Sequence, residues 1–561
     1  VAINFTFGVD AVGDLTATII IPTAEWQALL RKLRPWWISQ IGGQTFNFAV
    51  PLGALTITAQ PPTTLNSGTN DIYPSGTNPD GVVFPGFTVP DPFSGYSTWF
   101  LSPAGVDPAL GSHQAAGYVY LTLQAALNDV FFASGLGARR LVVRNAVYSQ
   151  AAAAAFPGVS GVAGQPYVVQ GDPAVSALPY FDGGWNGSSY APVGGLISFP
   201  NTTNYVTVRK LGCRNATHSC IPCDGTVSNL TIEYCAAHDV YYNVAGTASS
   251  SFVSSAFNQS LTNVIVRYCN IYTFNNAAAP FGPFNANCAP FETYGSNNVQ
   301  FLNNYVAYAN RGIRLKNADT GSGATSGHSD NWTVQNNIFS NCYAAIEQAT
   351  QGNNANGLSN WAINNNLFYG AFTAYGNGGH MTGAAGGLNS IYNQGTNVTV
   401  TNNTFGEDLA GGLSWTGVSS GFVFRDNVVM CNANAGTYLL LTPTTANNFG
   451  VVFSQLDYNA YLSSASAPWQ TDGVHTFATF AQWQNAFTAT ATPCLAITGN
   501  PDPHGTSIAA LGGGFNTEVA NYPGFASRNY ALAGGSPLQT ASSTGGAMGC
   551  NVAAIGPGWF G

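Results

Sequence analysis

The sequence predicts an all-β fold wound as a solenoid of short stacked strands, and three observations predict it. An asparagine closes a short strand-like phrase seven times, at Asn270, Asn304, Asn337, Asn366, Asn403, Asn427 and Asn459. The steps between them run from 24 to 37 residues, the period range of stacked repeats, and their unequal lengths imply that loops of different size leave each repeat. A second phrase precedes several of them: Phe291-Glu-Thr-Tyr, Gly312-Ile-Arg-Leu-Lys, Ala345-Ile-Glu-Gln, Gly387-Leu-Asn-Ser and Gly412-Leu-Ser-Trp. Its short alternation suits a strand with one face in a core and the other toward solvent. Composition agrees, with 65 Gly, 13% aromatic residues and 7% charged residues, against roughly 25% charged in an ordinary soluble domain.

The elements follow in order. Residues 1–58 read as a small β-rich domain, with strands at 3–7 and 15–21 and a short helix at 23–34, N-capped by Thr23 and stopped by Pro35. Residues 59–112 are rich in Pro, Gly, Ser and Thr without a period, and read as a linker or irregular subdomain. A helical pattern at 121–132 then leads into strands at 140–149 and 167–173. A solenoid leaves its first rung unpaired, so an amphipathic helix laid across that end is expected to cap it. The repeat occupies 113–460, and 461–561 reads as the end of the coil with a capping segment.

With its entry phrase Leu141-Val-Val-Arg-Asn-Ala-Val-Tyr and its closing phrase Tyr530-Ala-Leu-Ala-Gly-Gly-Ser-Pro-Leu, the chain resembles the right-handed parallel β-helix superfamily of pectate-lyase-like proteins, bacteriophage tailspikes and secreted β-helix repeat proteins. The resemblance covers roughly residues 117–555. It implies a single-stranded parallel coil with asparagines stacked at one turn. Asparagine tolerates left-handed backbone, and stacked amides hydrogen-bond from rung to rung. Pectate-lyase-type enzymes hold Ca²⁺ with several clustered carboxylates. No such cluster is visible here, so no cofactor is expected, calcium being the one the resemblance would supply. The paired-Asp and Gly-His-Gly motifs of polygalacturonases are also missing, and only Arg314-Leu-Lys316 is similar to their Arg-Ile-Lys.

Because charges are scarce, their clustering matters. If Phe291, Ile313 and Ile346 face inward, Glu292, Arg314 and Glu347 face outward on three consecutive rungs, with Lys316 beside them. Strands about 4.8 Å apart put the two carboxylates roughly 10 Å apart at the backbone, from which side chains converge to the 6.5–9.5 Å used by inverting glycosidases. Glu292 and Glu347 are the candidate acid and base. Arg314 and Lys316 are candidates to hold an acidic sugar or, in a lyase, to act on the base side. The bland alternative is an ion-pair ladder that satisfies itself on a sheet face.

The loop after this strand brings Asp319, His328 and Asp330 toward the same side as a groove wall, and His238-Asp239 is a candidate to join from above. Tyr241, Tyr242, Tyr294, Tyr375 and Trp415 are candidate sugar platforms, since aromatic faces stack on pyranose rings. Cys213, Cys220 and Cys223 with His218 form half of a zinc-type pattern, without a second half. They are expected as disulfides or buried thiols, and Cys235 and Cys269 as core residues at equivalent rung positions or a bridge between rungs.

A net charge of −9 without any basic run argues against nucleic acid as a partner, and no apolar run is long enough to call a membrane span. So few titratable groups suit an acidic, extracellular habitat. The expected protein is therefore extracellular, at a cell surface or on a virion, and binds and cleaves a polysaccharide as a hydrolase or lyase. The alternative is a non-catalytic tailspike, adhesin or filament subunit, for which a homotrimer or higher assembly is expected.

Overall fold

A computed structural model describes residues 89–175, 177–184, 194–217, 219–242, 251–256, 259–276, 289–309, 311–317, 329–340, 342, 344–350, 358–369, 386–391, 395–405, 413–415, 419–431, 439–441, 451–463, 469–470, 476–488, 502–507, 532, 536–551 and 554–556, with strands at 4–9, 15–20, 46–50 and 53–57. The four N-terminal strands form two antiparallel pairs, Asn4–Val9 with Leu15–Ile20 and Phe46–Val50 with Gly53–Ile57. The helix expected at 23–34 lies outside the described residues.

From Ser97 onward the chain is a right-handed parallel β-helix, built from three long sheets whose strands pair in parallel with the equivalent strand one rung on. Each full rung carries three strands, one more than the sequence phrases showed. The rung entered at Val227–Glu233 continues through Ala236–Tyr242 to Val253–Ser255, in sheets one, two and three respectively. The asparagine phrase marks the corner from sheet one to sheet two, and the second phrase is sheet three.

The core is a column of like residues. Phe339, Phe368 and Phe405 stack with ring centroids 5.2 and 4.8 Å apart, and Trp332 lies 4.7 Å from Trp361 at an interplanar angle of 6°. Like shapes stacked at one rung position carry the same packing from rung to rung, and offset ring pairs add about 0.5–1.5 kcal/mol each beyond burial.

Both ends are covered. The helix Leu123–Val130, N-capped by Thr122, buries Leu123, Leu127 and Val130 in the core cluster beside Leu141 and Tyr167. At the other end the helix Phe480–Thr488 places Trp483 over the last rungs, its ring 6.4 Å from that of Tyr461.

The corner between sheets one and two explains the repeated asparagine. The sharp bend is made by the residue before it: Asn303, Asn336, Asn365, Asn402, Asp426 and Tyr458 all have φ between 53° and 59°. The following asparagine turns inward and is fully buried at Asn304, Asn337, Asn366, Asn403, Asn427 and Asn459. Each Nδ2 donates to the Oδ1 of the next rung, at 3.1, 3.0, 3.0, 3.1 and 3.1 Å from Asn304 to Asn459. The backbone N–H donates to that same oxygen.

Asn270 does not belong to this column. It pairs with Tyr305, so the residue level with Asn304 is Cys269, whose N–H donates to Asn304 Oδ1 at 2.9 Å. The Cys269 thiol reaches the carbonyls of Ile232 and Arg267, the previous-rung and i−2 positions that Asn366 Nδ2 reaches at Val334 and Asn364. A thiol fits here as a small buried group with a weak donor. The column ends on a carboxylate: Asp502 accepts from Asn459 N, Asn459 Nδ2 and the Tyr461 hydroxyl.

A second series of amides lies on sheet one. Asn229, Asn263, Asn298, Asn331, Asn360 and Asn397 have φ of 51–58°, and Asn263, Asn298, Asn360 and Asn397 each donate to the corresponding asparagine one rung back or its equivalent at 2.8–3.2 Å. The C-terminal segment then runs back along the corner as a strap. Ser543 binds the Asp426 carboxylate, Cys550 N donates to Thr404 Oγ1, Asn551 N to Asn365 Oδ1, and Asn303 Nδ2 to the Ala554 carbonyl.

Candidate functional site

Sheet three fixes the register of the charged stripe. Its strands Phe291–Thr293, Arg311–Asn317 and Ala344–Thr350 align Glu292 with Arg314 and Arg314 with Glu347, and the column continues from Ser254 before them to Asn389 and Ser414 after. Phe291, Ile313 and Ile346 lie in the core, so the stripe is on the opposite face of the pleat.

The stripe is an internally paired cluster. Arg314 Nη1 lies 3.8 Å from Glu292 Oε2, and its Nε lies 3.2 Å from Glu347 Oε1. Arg311 Nε binds the other oxygen of Glu347. Two carboxylates thus meet two guanidinium groups. Glu292 and Glu347 are each only 1% exposed, in contrast to the solvent-facing stripe that strand alternation predicts. Alternation assigns a face of the sheet, and it says nothing about what covers that face.

Arg311 was invisible to the alternation argument. Along the strand it has the parity of the inward Ile313, yet it reaches Glu347 from the strand's first position, just after the corner. The signal available in the sequence was the pair of arginines three residues apart in Arg311-Gly-Ile-Arg314.

Tyr294 follows directly on the strand and stays with the cluster. Its N–H donates to Ser255 Oγ, and burial first, then the neighbouring Glu292 carboxylate, pushes its hydroxyl pKa up to about 12, against the opposing pull of Arg314. The cluster does not suit a calcium ion, because Arg314 already bridges the two carboxylates and a cation would have to displace a guanidinium. Among the described residues, no group of three or more His, Cys, Asp and Glu side chains is arranged to hold a metal, and seven described cysteines are buried free thiols.

Other predicted members fall elsewhere. His238 and Asp239 lie on sheet two, where His238 aligns with Arg214, so they do not join the stripe. Tyr241 and Tyr242 end that same sheet-two strand, away from sheet three, and their side chains lie outside the described residues. Asp330 pairs with Asn297 and Ser359 on sheet one, away from the stripe. Trp415 is in sheet three but level with Ser390, one position beyond the column of Ser414. The side chains of Lys316 and Trp415, and all of Asp319, His328 and Tyr375, lie outside the described residues.

No protein-family model matches the chain, and no curated protein matches it. Among solved structures it is similar to the pectate lyase Pel9A, at 13% identity and a TM-score of 0.35 over 62% of this chain and 77% of that one. It is similar to endopolygalacturonase I from Stereum purpureum, at 12% identity and a TM-score of 0.34 over 62% and 94%. It is also similar to a tailspike protein of E. coli bacteriophage HK620, at 12% identity and a TM-score of 0.35 over 78% and 72%.

Proposed function

We propose that this chain is an extracellular β-helix protein that binds a polysaccharide along the outer face of sheet three and cleaves it there. The observation that carries the reading is the in-register column Glu292–Arg314–Glu347, two carboxylates on alternate rungs with a guanidinium between them. Glu292 and Glu347 serve as acid and base: one gives its proton to the leaving glycosidic oxygen as the bond to the anomeric carbon breaks, the other takes a proton from the water that attacks that carbon, and Arg314 holds the charge of an acidic sugar. Shielding from water strengthens such fields where charge develops.

A second reading is favoured by a different observation. Among the described residues the cluster is two carboxylates against two guanidinium groups, paired and buried, which is how an ion-pair ladder on a non-catalytic rod would look. In that reading the chain is a tailspike-like or adhesive protein whose low-charge surface meets a glycan.

One experiment separates the two. Wild type, Glu292→Gln and Glu347→Gln are incubated with neutral and acidic polysaccharides, following new reducing ends and the ultraviolet absorbance of unsaturated products, with binding measured in parallel by affinity electrophoresis. Cleavage by wild type that falls at least a hundredfold in Glu292→Gln is the expected result. Cleavage equal in both variants and wild type would move the chemistry elsewhere, and binding without cleavage would leave the rod. Glu347→Gln leaves two buried guanidinium groups short of charge, a loss of about 3–5 kcal/mol, so its fold is checked by circular dichroism.

A further inference from the structure

A cleft of about 630 Å³ opens between the outer face of sheet one and the C-terminal strap. Its lining is unusual in chemistry: Gln335, Asn364, Asn365, Asn402, Gln539 and Asn551 all contribute, so six carboxamide residues converge on one space. No charged residue is among the described residues that line it. Leu532 adds an apolar contact.

The sheet-one ladder places three of these amides in a row. Gln335 aligns with Asn364 across the sheet-one ladder, Asn364 with Thr401 on the next rung, and Asn402 follows Thr401 at the corner. The row therefore steps once per rung over three rungs, at the ~4.8 Å spacing of neighbouring strands. Part of it is committed to structure: Asn365 donates to Asn336 and accepts from Asn551 N, and Asn364 Oδ1 accepts from Thr401. The side chains of Gln335 and Asn402 make no hydrogen bond among the described residues, although each is only partly exposed at the cleft.

We propose that this cleft is a binding site for a neutral oligosaccharide, separate from the sheet-three stripe and independent of whether that stripe cleaves anything. A carboxamide presents both donors and an acceptor, the complement of a sugar hydroxyl, which both donates and accepts. An acidic or basic ligand meets no opposite charge among the described residues that line the cleft, so nothing here favours it over a neutral one. The volume lies within the range of small-ligand sites, about 300–1,000 Å³. One rung step is comparable with the advance of one hexose along an extended glycan, so three rungs match a trisaccharide.

The test uses the full chain with cellotriose, maltotriose and mannotriose as neutral probes and trigalacturonate as the charged control, by titration calorimetry and saturation-transfer NMR. Binding of one neutral trisaccharide per chain, weakened at least tenfold in Gln335→Ala/Asn402→Gly and unchanged in Glu292→Gln, is the expected result. Glycine suits position 402 because its φ is 56°. Gln539→Ala, on the strap and outside the coil, is the second variant, and it too is expected to weaken binding. The proposal is overturned if none of the neutral probes binds at millimolar concentration, if both variants bind as wild type does, or if trigalacturonate binds as tightly as the neutral probes.

Discussion

Replacing Asp502 by asparagine is expected to make the last rung more stable at neutral pH and to remove most of its pH dependence. Asp502 is fully buried at the end of the amide column, accepting from Asn459 N at 3.2 Å, Asn459 Nδ2 at 3.0 Å and Tyr461 Oη at 2.6 Å. Burial dominates those hydrogen bonds, and the nearby Asp457 adds to it, so its pKa is pushed up from 3.8 to about 7. Asp457 itself is paired with His504 at 2.9 Å, and Gln484 reaches the Asp502 carbonyl. A carboxyl raised in the fold binds its proton more tightly there than in the unfolded chain, so stability falls as pH rises between the two values. The contribution is fully present below about pH 4 and lost as pH rises through about 7. At ~1.4 kcal/mol per pKa unit the loss is at most about 4 kcal/mol, or about a thousandfold in a local opening constant.

The assay is native-state hydrogen exchange at the amides of Asn459, Gly505 and Thr506, corrected for the intrinsic pH dependence, because a long repeat array need not melt as one unit. In the fold these amides donate to Asp502 Oδ1, the Asp502 carbonyl and the Asn459 carbonyl. Wild-type protection should drop between pH 4 and 8, and that of Asp502→Asn should stay level, as a single Oδ1 serves both donors elsewhere in the column. A wild-type protection that rises with pH, or the same slope in both proteins, would refute the reasoning.

Further outcomes follow from the same contacts. Asn366→Ala deprives Asn337 N and Nδ2 of their acceptor, and at about 1–3 kcal/mol per orphaned buried group the exchange of neighbouring rungs should accelerate far more than it does in the surface variant Asn397→Gly, which keeps the left-handed φ of 55°. Asp426→Gly keeps the left-handed corner, φ 58°, but removes the carboxylate that accepts from Ser543 N and Oγ. Charge-assisted bonds of about 1.5–3 kcal/mol predict roughly ten- to a hundredfold faster limited proteolysis at 536–551, with sheet three unaffected. Trp361→Ala removes a fully buried ring stacked on Trp332, and a loss of about 3–5 kcal/mol should appear as a lowered thermal midpoint by near-ultraviolet circular dichroism.

Much of the fold was legible because a solenoid repeats its physics. The second phrases aligned Phe291, Ile313, Ile346, Leu388 and Leu413, and the parallel ladder pairs those same residues. What failed was finer than a rung. Asn270 looked like a member of the asparagine series because it ends the same kind of phrase. The residue that turns inward there is Cys269, a substitution that only the hydrogen-bond pattern exposes.

The site was half legible for a related reason. Parity along a strand placed Glu292, Arg314 and Glu347 on one face, but could not supply Arg311, which departs from the alternation at the strand's beginning. Nor could it tell that His238 and Asp330 belong to other sheets, since parity along a strand carries no information about which sheet the strand joins. The amide cleft had no sequence signature at all, because its wall comes from the strap more than a hundred residues away.

That strap also changes how the coil must come apart. Contacts between rungs join residues some 24 to 37 positions apart, so each rung needs only its neighbour to form. The strap instead joins residues separated by 117, 146, 186 and 251 positions, and it can dock only once the rungs it spans are already wound. Folding therefore has a last step that is non-local, and unwinding from the C-terminal end has a first step of the same kind. The consequence is a latch on the unravelling rate: a chain whose equilibrium stability is a sum of local terms acquires a lifetime set by one long-range release.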